Sequence, residues 1–264
     1  MSRRHSKIEP ELIKEVLAQV TSLYPETIRQ GRIQESLDAY ENHLAFVLQH
    51  LHGPARILDV GAGGGVLAVA LRRLGHSVTA IDNWKEYDGV ASPMGHRKDI
   101  LQILSDNQVQ LKIADIMAQA MPLEDESFDL VLLMDVIEHL KEPGMVLRDI
   151  HRLLKPEGVF IMVTPNLSRI GHRLRFLYGK SPNWEVLDWC YAPNFFGHVR
   201  EYTKEELIAM ANHVGFITIS ICFRNQKNLE SCQHPFRMKI YRFASWLYPN
   251  FSPVIYSSFK KAGH

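Results

Sequence analysis

From Arg56 onward, short β-branched apolar runs alternate with stretches of helical spacing. The runs are ARILDVG, HSVTAID, VQLKIAD, FDLVLLMD and GVFIMVTP, and GVLAVALRRL and GMVLRDIHRLL are among the connections. Parallel strands cannot be joined by a tight hairpin and need a crossover, usually a helix. The order therefore implies an α/β fold, a parallel sheet with helices on both faces. Three runs are expected to end in an aspartate (Asp82, Asp115, Asp135), and Asp59 stands just before a glycine turn in the first. Four carboxylates would then collect at the carboxyl edge of the sheet, where ligands of open α/β sheets bind.

The 264 residues, 46% hydrophobic, suffice for one sizeable core, so we expect one main domain over residues 53–264 and a helical extension over 1–52. In the extension Pro10 suits a first helical turn, and Leu12, Ile13, Val16, Leu17 and Val20 recur at helical spacing. A second such segment runs from Gln34 to Leu51. After TPN the alternation breaks for about 35 residues, long enough to expect a lid inserted at about 166–200. A helix resumes at TKEELIAMANHV, with Thr203 and Glu206 spaced as a capping box. A strand, GFITISICF, a basic aromatic segment at about 231–251 and a last apolar stretch, SPVIYSSF, follow.

With 30 basic against 29 acidic residues, no overall field draws the chain to nucleic acid or a membrane. Three cysteines without a C-x-x-C pair fit neither a disulfide framework nor a zinc ribbon. The charged start lacks a signal-peptide apolar stretch, and no apolar run approaches the ~18 residues of a spanning helix. The expected location is the cytoplasm.

In G61-A-G63-G-G65-V66 the first two glycines suit a tight turn that lets a ligand touch main-chain N–H groups. A dinucleotide fingerprint wants a third small residue where Val66 stands, and no Lys-Ser/Thr follows as in a P-loop. Asp82 is placed to accept from both ribose hydroxyls of an adenosine, and Asp115 to reach its adenine amino group. An acid at Asp59 would repel a pyrophosphate but suits a ligand carrying an ammonium and a sulfonium. S-adenosylmethionine (SAM) is such a ligand.

At these residues the chain resembles the class I SAM-dependent methyltransferases. LDVGAGGG is similar to their glycine motif, VTAID to their ribose acid and IADI to their adenine contact, while FDLVLLMDVIEHL and LKPEG resemble their fourth and fifth motifs. DVIEHL, TPN and HVREYTKEEL look most like the ubiquinone-biosynthesis O-methyltransferases and the sugar and natural-product methyltransferases near them. The resemblance implies a Rossmann-like, seven-stranded, mostly parallel sheet, SAM as cofactor and S-adenosylhomocysteine as product. It places Asp59, Gly61, Ala62 and Gly63 at the methionine end, Asp82 and Asn83 at the ribose, Asp115 and Ile116 at the adenine, and Met134 and Asp135 beside the cofactor.

Methyl transfer from a sulfonium is an in-line displacement. Alignment contributes up to ~7–11 kcal/mol, and a base that takes the acceptor's proton adds ~10²–10⁴-fold. In D135-V-I-E138-H139 the acid and imidazole stand at the expected opening of a helix. His139, with Glu138, could act as base toward a hydroxyl. Alternatively Glu138, His139 and His198, with Asp135, form a divalent-metal site of mixed O/N donors. Small-RNA 2′-O-methyltransferases and some ubiquinone-pathway enzymes look similar here. The plainest alternative has Asp135 capping the helix and Glu138 completing a capping box.

Residues 167–180 carry Arg169, Arg173, Arg175 and Lys180 and no acid, and 231–264 carry Arg237, Lys239, Arg242, Lys260 and Lys261 and no acid. Beside the lid aromatics Trp184, Trp189, Tyr191, Phe195 and Phe196 they point to a small anionic acceptor with an apolar or ring-shaped part. A phosphorylated, nucleotide-linked or lipid-linked sugar or a prenylated phenol would qualify. FRMKIYRFASWLY could also rest on an anionic membrane surface. No separate RNA-binding module stands out, so nucleic acid ranks below a small molecule. The competing classes are a catalytically inactive binding protein of this fold, an RNA 2′-O-methyltransferase and a dinucleotide-dependent oxidoreductase.

Overall fold

A computed structural model describes residues 10–29, 33, 36–85, 96–183, 186–191, 197–225 and 243–262. The expectations for Trp184, Phe195, Phe196, Arg237, Lys239 and Arg242 lie outside the described residues. The chain packs as two compact units, Met1–Ala114 and Asp115–His264.

In the first unit, α1 (Pro10–Thr21) buries Ile13, Val16, Leu17 and Val20, the stripe expected of an amphipathic helix. A single turn, α2 (Glu26–Ile28), leads to α3 (Leu37–Leu48), which buries Leu44, Phe46 and Val47. There follow β1 (Arg56–Val60), α4 (Val66–Arg73), β2 (Ser77–Asp82), α5 (Arg97–Asp106) and β3 (Gln110–Ile113). β1 runs parallel to β2, and β2 to β3. Every residue of α4 from Val66 to Leu71 is buried, because α1 and α3 pack against it while it packs against β2.

The second unit holds β4 (Phe128–Met134), α6 (Pro143–Leu153), β5 (Leu154–Pro165), α7 (Ile170–Leu177), α8 (Val186–Tyr191), α9 (Lys204–Val214), β6 (Phe216–Arg224) and β7 (Val254–Lys261). β4 and β5 are parallel, and β7 is antiparallel to β5 and to β6. The fully apolar stretches Leu130–Leu133 and Phe160–Val163 are buried throughout, as strands covered on both faces require. β5 begins five residues before its apolar run at Val159, because LKPEG forms an irregularity in the ladder. There Glu157 has φ 66°, and a Cβ on Gly158 would sit 2.8 Å from the Lys155 carbonyl oxygen. α6 and α9 pack on each other and onto β5 and β6 respectively. α9 opens in the expected capping box, Thr203 accepting from the Glu206 N–H and Glu206 from the Thr203 N–H.

The strands form one seven-stranded sheet in the order β3-β2-β1-β4-β5-β7-β6, mostly parallel, as expected. The stretch after TPN is not without regular structure: it contains α7 and α8. Among the described residues no helix is long and apolar enough to cross a membrane.

Candidate active site

β1 runs into a turn in which Gly61, Gly63 and Gly65 take φ 72°, 52° and 75°, values that favour glycine. The turn is held from within. The Gly61 N–H donates to the Ile81 carbonyl (2.8 Å), with the Ala62 N–H at 3.4 Å, and the Gly63 N–H donates to Asp82 Oδ2 (2.9 Å). The first two glycines do make the expected tight turn, and their own N–H groups fasten it to the end of β2. What glycine supplies is a backbone without side chains. The turn's carbonyls are used as well. Trp84 Nε1–H donates to the Gly63 oxygen (2.8 Å) and the Tyr24 hydroxyl to the Gly64 oxygen (2.7 Å). Asp82 Oδ1 accepts the Trp84 N–H (2.8 Å), so one carboxylate ties both sides of the loop. Asn83 Oδ1 accepts the Lys85 N–H (2.9 Å). Neither Tyr24 nor Trp84 was expected here. A bulky aromatic two residues behind an acid in a polar loop was the available signal for Trp84.

Asp59, only 3% exposed, lies inside β1. Burial, reinforced by the charge of Asp82, pushes its carboxyl up to about 7. Once ionised there, it favours an approaching cation.

β3 stops at Ile113, short of Asp115, and Asp115 Oδ1 accepts the Met117 N–H (3.1 Å) in a tight local turn. Asp115, Ile116 and Met134 are half-buried.

After β4, Asp135 takes φ 53°, a conformation aspartate tolerates better than most residues, while its N–H donates to the Val163 carbonyl (2.9 Å). Next comes a single 3₁₀ turn, Ile137–His139, and not the opening of an α-helix. Leu140 is already extended, and α6 starts only at Pro143. The capping reading of Asp135 and Glu138 is corrected with it: the Glu138 side chain, 1% exposed, accepts from Thr164 Oγ1–H (2.9 Å). Burial first, then Asp135, hold this carboxyl well above the usual carboxylate range.

The same turn captures a distant segment. The Glu138 carbonyl accepts the N–H groups of Val199 (2.7 Å) and Arg200 (3.2 Å), and His139 Nδ1 donates to the Gly197 carbonyl (3.1 Å). These bonds carry in His198, whose ring lies edge-on to His139 at 5.1 Å between centroids. Glu138, His139 and His198 each present a ligand atom within 4.8 Å of the others, the trio that the sequence singled out. His198 Nδ1 is 2.9 Å from Glu201 Oε1. A peptide oxygen and a carboxylate can only accept, so both rings carry a proton on Nδ1, and in the neutral form the lone pair is on Nε2. One carboxylate and two imidazoles oriented by outer partners are a donor set suited to a divalent cation.

Glu201 was not expected. Burial alone would raise its carboxyl, but the hydrogen bond from His198 and the charge of Arg169 prevail and hold it below the usual range. Arg169 grips it with a fork, Nη1–H to Oε2 (2.7 Å) and Nη2–H to Oε1 (3.1 Å). Arg169 therefore leaves the set of lid cations expected to meet an acceptor. His172 Nδ1 lies 3.5 Å from Glu201 Oε2, and burial, helped by Arg169, pushes that imidazole down to about 4, so it is neutral near pH 7. The H198-x-x-E201 spacing was the one signal for Glu201.

Residues 58–162, from β1 into β5, match the profile of the Methyltransferase domain family. A SAM-dependent methyltransferase from Archaeoglobus fulgidus superposes with a TM-score of 0.56 at 15% identity, covering 86% of this chain and 94% of that one. The fold is that of the class I SAM-dependent methyltransferases. The class I fold is shared by the 4+2 cyclase SpnF (TM-score 0.53, 17% identity, 96% of this chain and 94% of that one), so architecture alone does not name a reaction. In sequence, the ubiquinone biosynthesis O-methyltransferase of Xanthomonas oryzae pv. oryzae is 40% identical over 112 residues, 42% of this chain and 44% of that protein. The mitochondrial ubiquinone biosynthesis O-methyltransferase of Mus musculus is 33% identical over 125 residues, 47% of this chain and 32% of that protein. The matched class I region thus spans less than half the length of these curated relatives.

Proposed function

We propose that the protein transfers a methyl group from SAM to a hydroxyl of a small acceptor, releasing S-adenosylhomocysteine. The observation that carries this reading is the convergence of Glu138, His139 and His198 behind β4. Asp59 answers the cationic methionine end, bordered by Gly61, Ala62 and Gly63. Asp82 and Asn83 take the ribose, Asp115 and Ile116 the adenine, and Met134 and Asp135 flank the cofactor. The acceptor oxygen bonds to the methyl carbon as the carbon–sulfur bond breaks, and the hydroxyl proton must leave. Glu138, His139 and His198, with Asp135 nearby in sequence, would hold a divalent cation, which when bound lowers the pKa of a coordinated hydroxyl. A second reading rests on the His139–Gly197 hydrogen bond: with Nδ1 committed, the Nε2 lone pair is itself a base for that proton.

Arg173, Arg175 and Lys180, without an acid in residues 167–180, and the exposed Phe176, Tyr178, Trp189 and Tyr191 support an anionic acceptor with a ring or apolar part. Phosphorylated, nucleotide-linked or lipid-linked sugars and phenols are the classes to test, and the relatives' names support a hydroxyl. Cysteine usage supports a cytoplasmic setting. The test measures metal content in protein purified without chelator. Methyl transfer from labelled SAM to a panel of phenols and phosphorylated sugars is then followed before and after EDTA. We expect transfer that is lost in EDTA and restored by Mn²⁺ or Mg²⁺. Full activity in EDTA would leave His139 as base and remove the cation; absence of both transfer and SAM binding would end the methyltransferase reading.

A further inference from the structure

Glu201 has the chemistry of a metal ligand but stands behind one. Both of its oxygens are engaged: Oε1 accepts from His198 Nδ1 (2.9 Å) and Arg169 Nη2 (3.1 Å), and Oε2 from Arg169 Nη1 (2.7 Å). It is absent from the group of mutually close donor atoms formed by Glu138, His139 and His198. The side chains of this couple are largely enclosed, with Glu201 7% and both Arg169 and His198 18% exposed, so water does not dilute the interaction.

The two histidines of the cluster are backed differently. His139 leans on a neutral peptide carbonyl, His198 on a carboxylate whose charge a guanidinium offsets. A carboxylate behind an imidazole fixes its tautomer and raises the donor strength of the opposite nitrogen. Arg169 is in turn fixed at the exit of β5: Asn166 holds the Asn250 and Ser252 carbonyls through Nδ2, and the Leu167 N–H donates to the Tyr202 carbonyl. The fork, the acid and the imidazole are therefore held by the same backbone that carries residues 197–202.

We infer that Glu201, charge-balanced by Arg169, is a positioning residue that sets the tautomer and orientation of His198 so that its Nε2 serves a divalent cation. The inference rests on the cation reading of the preceding section and assigns Glu201 no contact with the cofactor.

The experiment titrates the full chain and Glu201→Gln with Mn²⁺, followed by the electron paramagnetic resonance of the free ion. S-adenosylhomocysteine binding is measured in parallel by calorimetry. Long-range ¹H–¹⁵N spectra report the histidine tautomers, the His198 signals being assigned with His198→Asn. We expect Mn²⁺ affinity to fall about 10–100-fold in Glu201→Gln, S-adenosylhomocysteine affinity to hold, and His198 to pass from the Nδ1–H form to a mixture. Equal Mn²⁺ affinity with an unchanged His198 spectrum would overturn the inference. If the unmodified protein does not bind Mn²⁺, the cation reading fails, and the spectra still decide whether Glu201 sets the tautomer. Should Glu201→Gln fail to fold, Arg169→Lys keeps the charge but loses the fork: a several-fold loss of Mn²⁺ affinity supports the couple, and none overturns it.

Discussion

Asp59 couples binding to stability through one proton. At pH well below 4 the carboxyl is protonated in both the folded and unfolded chain and costs nothing. As pH rises toward 7 the unfolded chain releases the proton while the folded one, with its value near 7, retains it, so stability falls with pH. The loss reaches at most about 4 kcal/mol above pH 7. Asp59→Asn is accordingly expected to melt higher than the parent at pH 8 and level with it at pH 4 in scanning calorimetry, while losing S-adenosylhomocysteine binding at both. A lower melting point at pH 8 would show that Asp59 is already paid for by a partner inside the fold. Gly65 is constrained sterically instead. A Cβ there meets Leu104 Cδ2 at 2.5 Å in a left-handed conformation. Gly65→Ala should cost about 2–4 kcal/mol in urea unfolding, from the left-handed strain and the overpacking together; an unchanged midpoint would mean that neither operates.

Among the elements, the chain's own text was most readable where the pattern is local and repeated. The apolar runs that became β1, β2, β4 and β5 and the stripe of α1 follow from spacing alone, and so does the capping box of α9. Asp135, Glu138 and His139 could be read as one group because they fall within five consecutive residues. What surrounds them was not: Thr164 lies 26 residues from Glu138 and Gly197 58 residues from His139, and no periodicity links such positions. The 3₁₀ turn was misread as a helix start for the same reason, since the partners that draw Glu138 away from a capping role are remote. The glycine turn shows the reverse case. Its composition foretold a tight turn, while the partners of its N–H groups, Ile81 and Asp82, lie about 20 residues on and follow from no local spacing. Tyr24, just beyond α1, makes this turn depend on the N-terminal helices. Tyr24→Phe should lower stability by about 1 kcal/mol and weaken S-adenosylhomocysteine several-fold in calorimetry, whereas intact affinity would confine Tyr24 to a structural role.

At the scale of the whole molecule, 30 basic residues balance 29 acidic ones, so a ligand is selected by local groups and not by net field. Specific binding should then appear as linked stability. S-adenosylhomocysteine at a hundred times its dissociation constant is expected to add about 2.7 kcal/mol to unfolding, NAD nothing, and Asp82→Ala should abolish the gain; stabilisation by NAD instead would revive the dinucleotide reading. The turn that would report such an event contains its own lamp. Trp84 is wholly buried, with its indole N–H on the Gly63 carbonyl, while Trp189 and Trp246 are 56% and 75% exposed. Among the described indoles, a quencher confined to water therefore extinguishes Trp189 and Trp246 and spares Trp84. Its residual blue-shifted emission becomes a label-free optical gauge of whether the glycine loop is closed, loosened or filled.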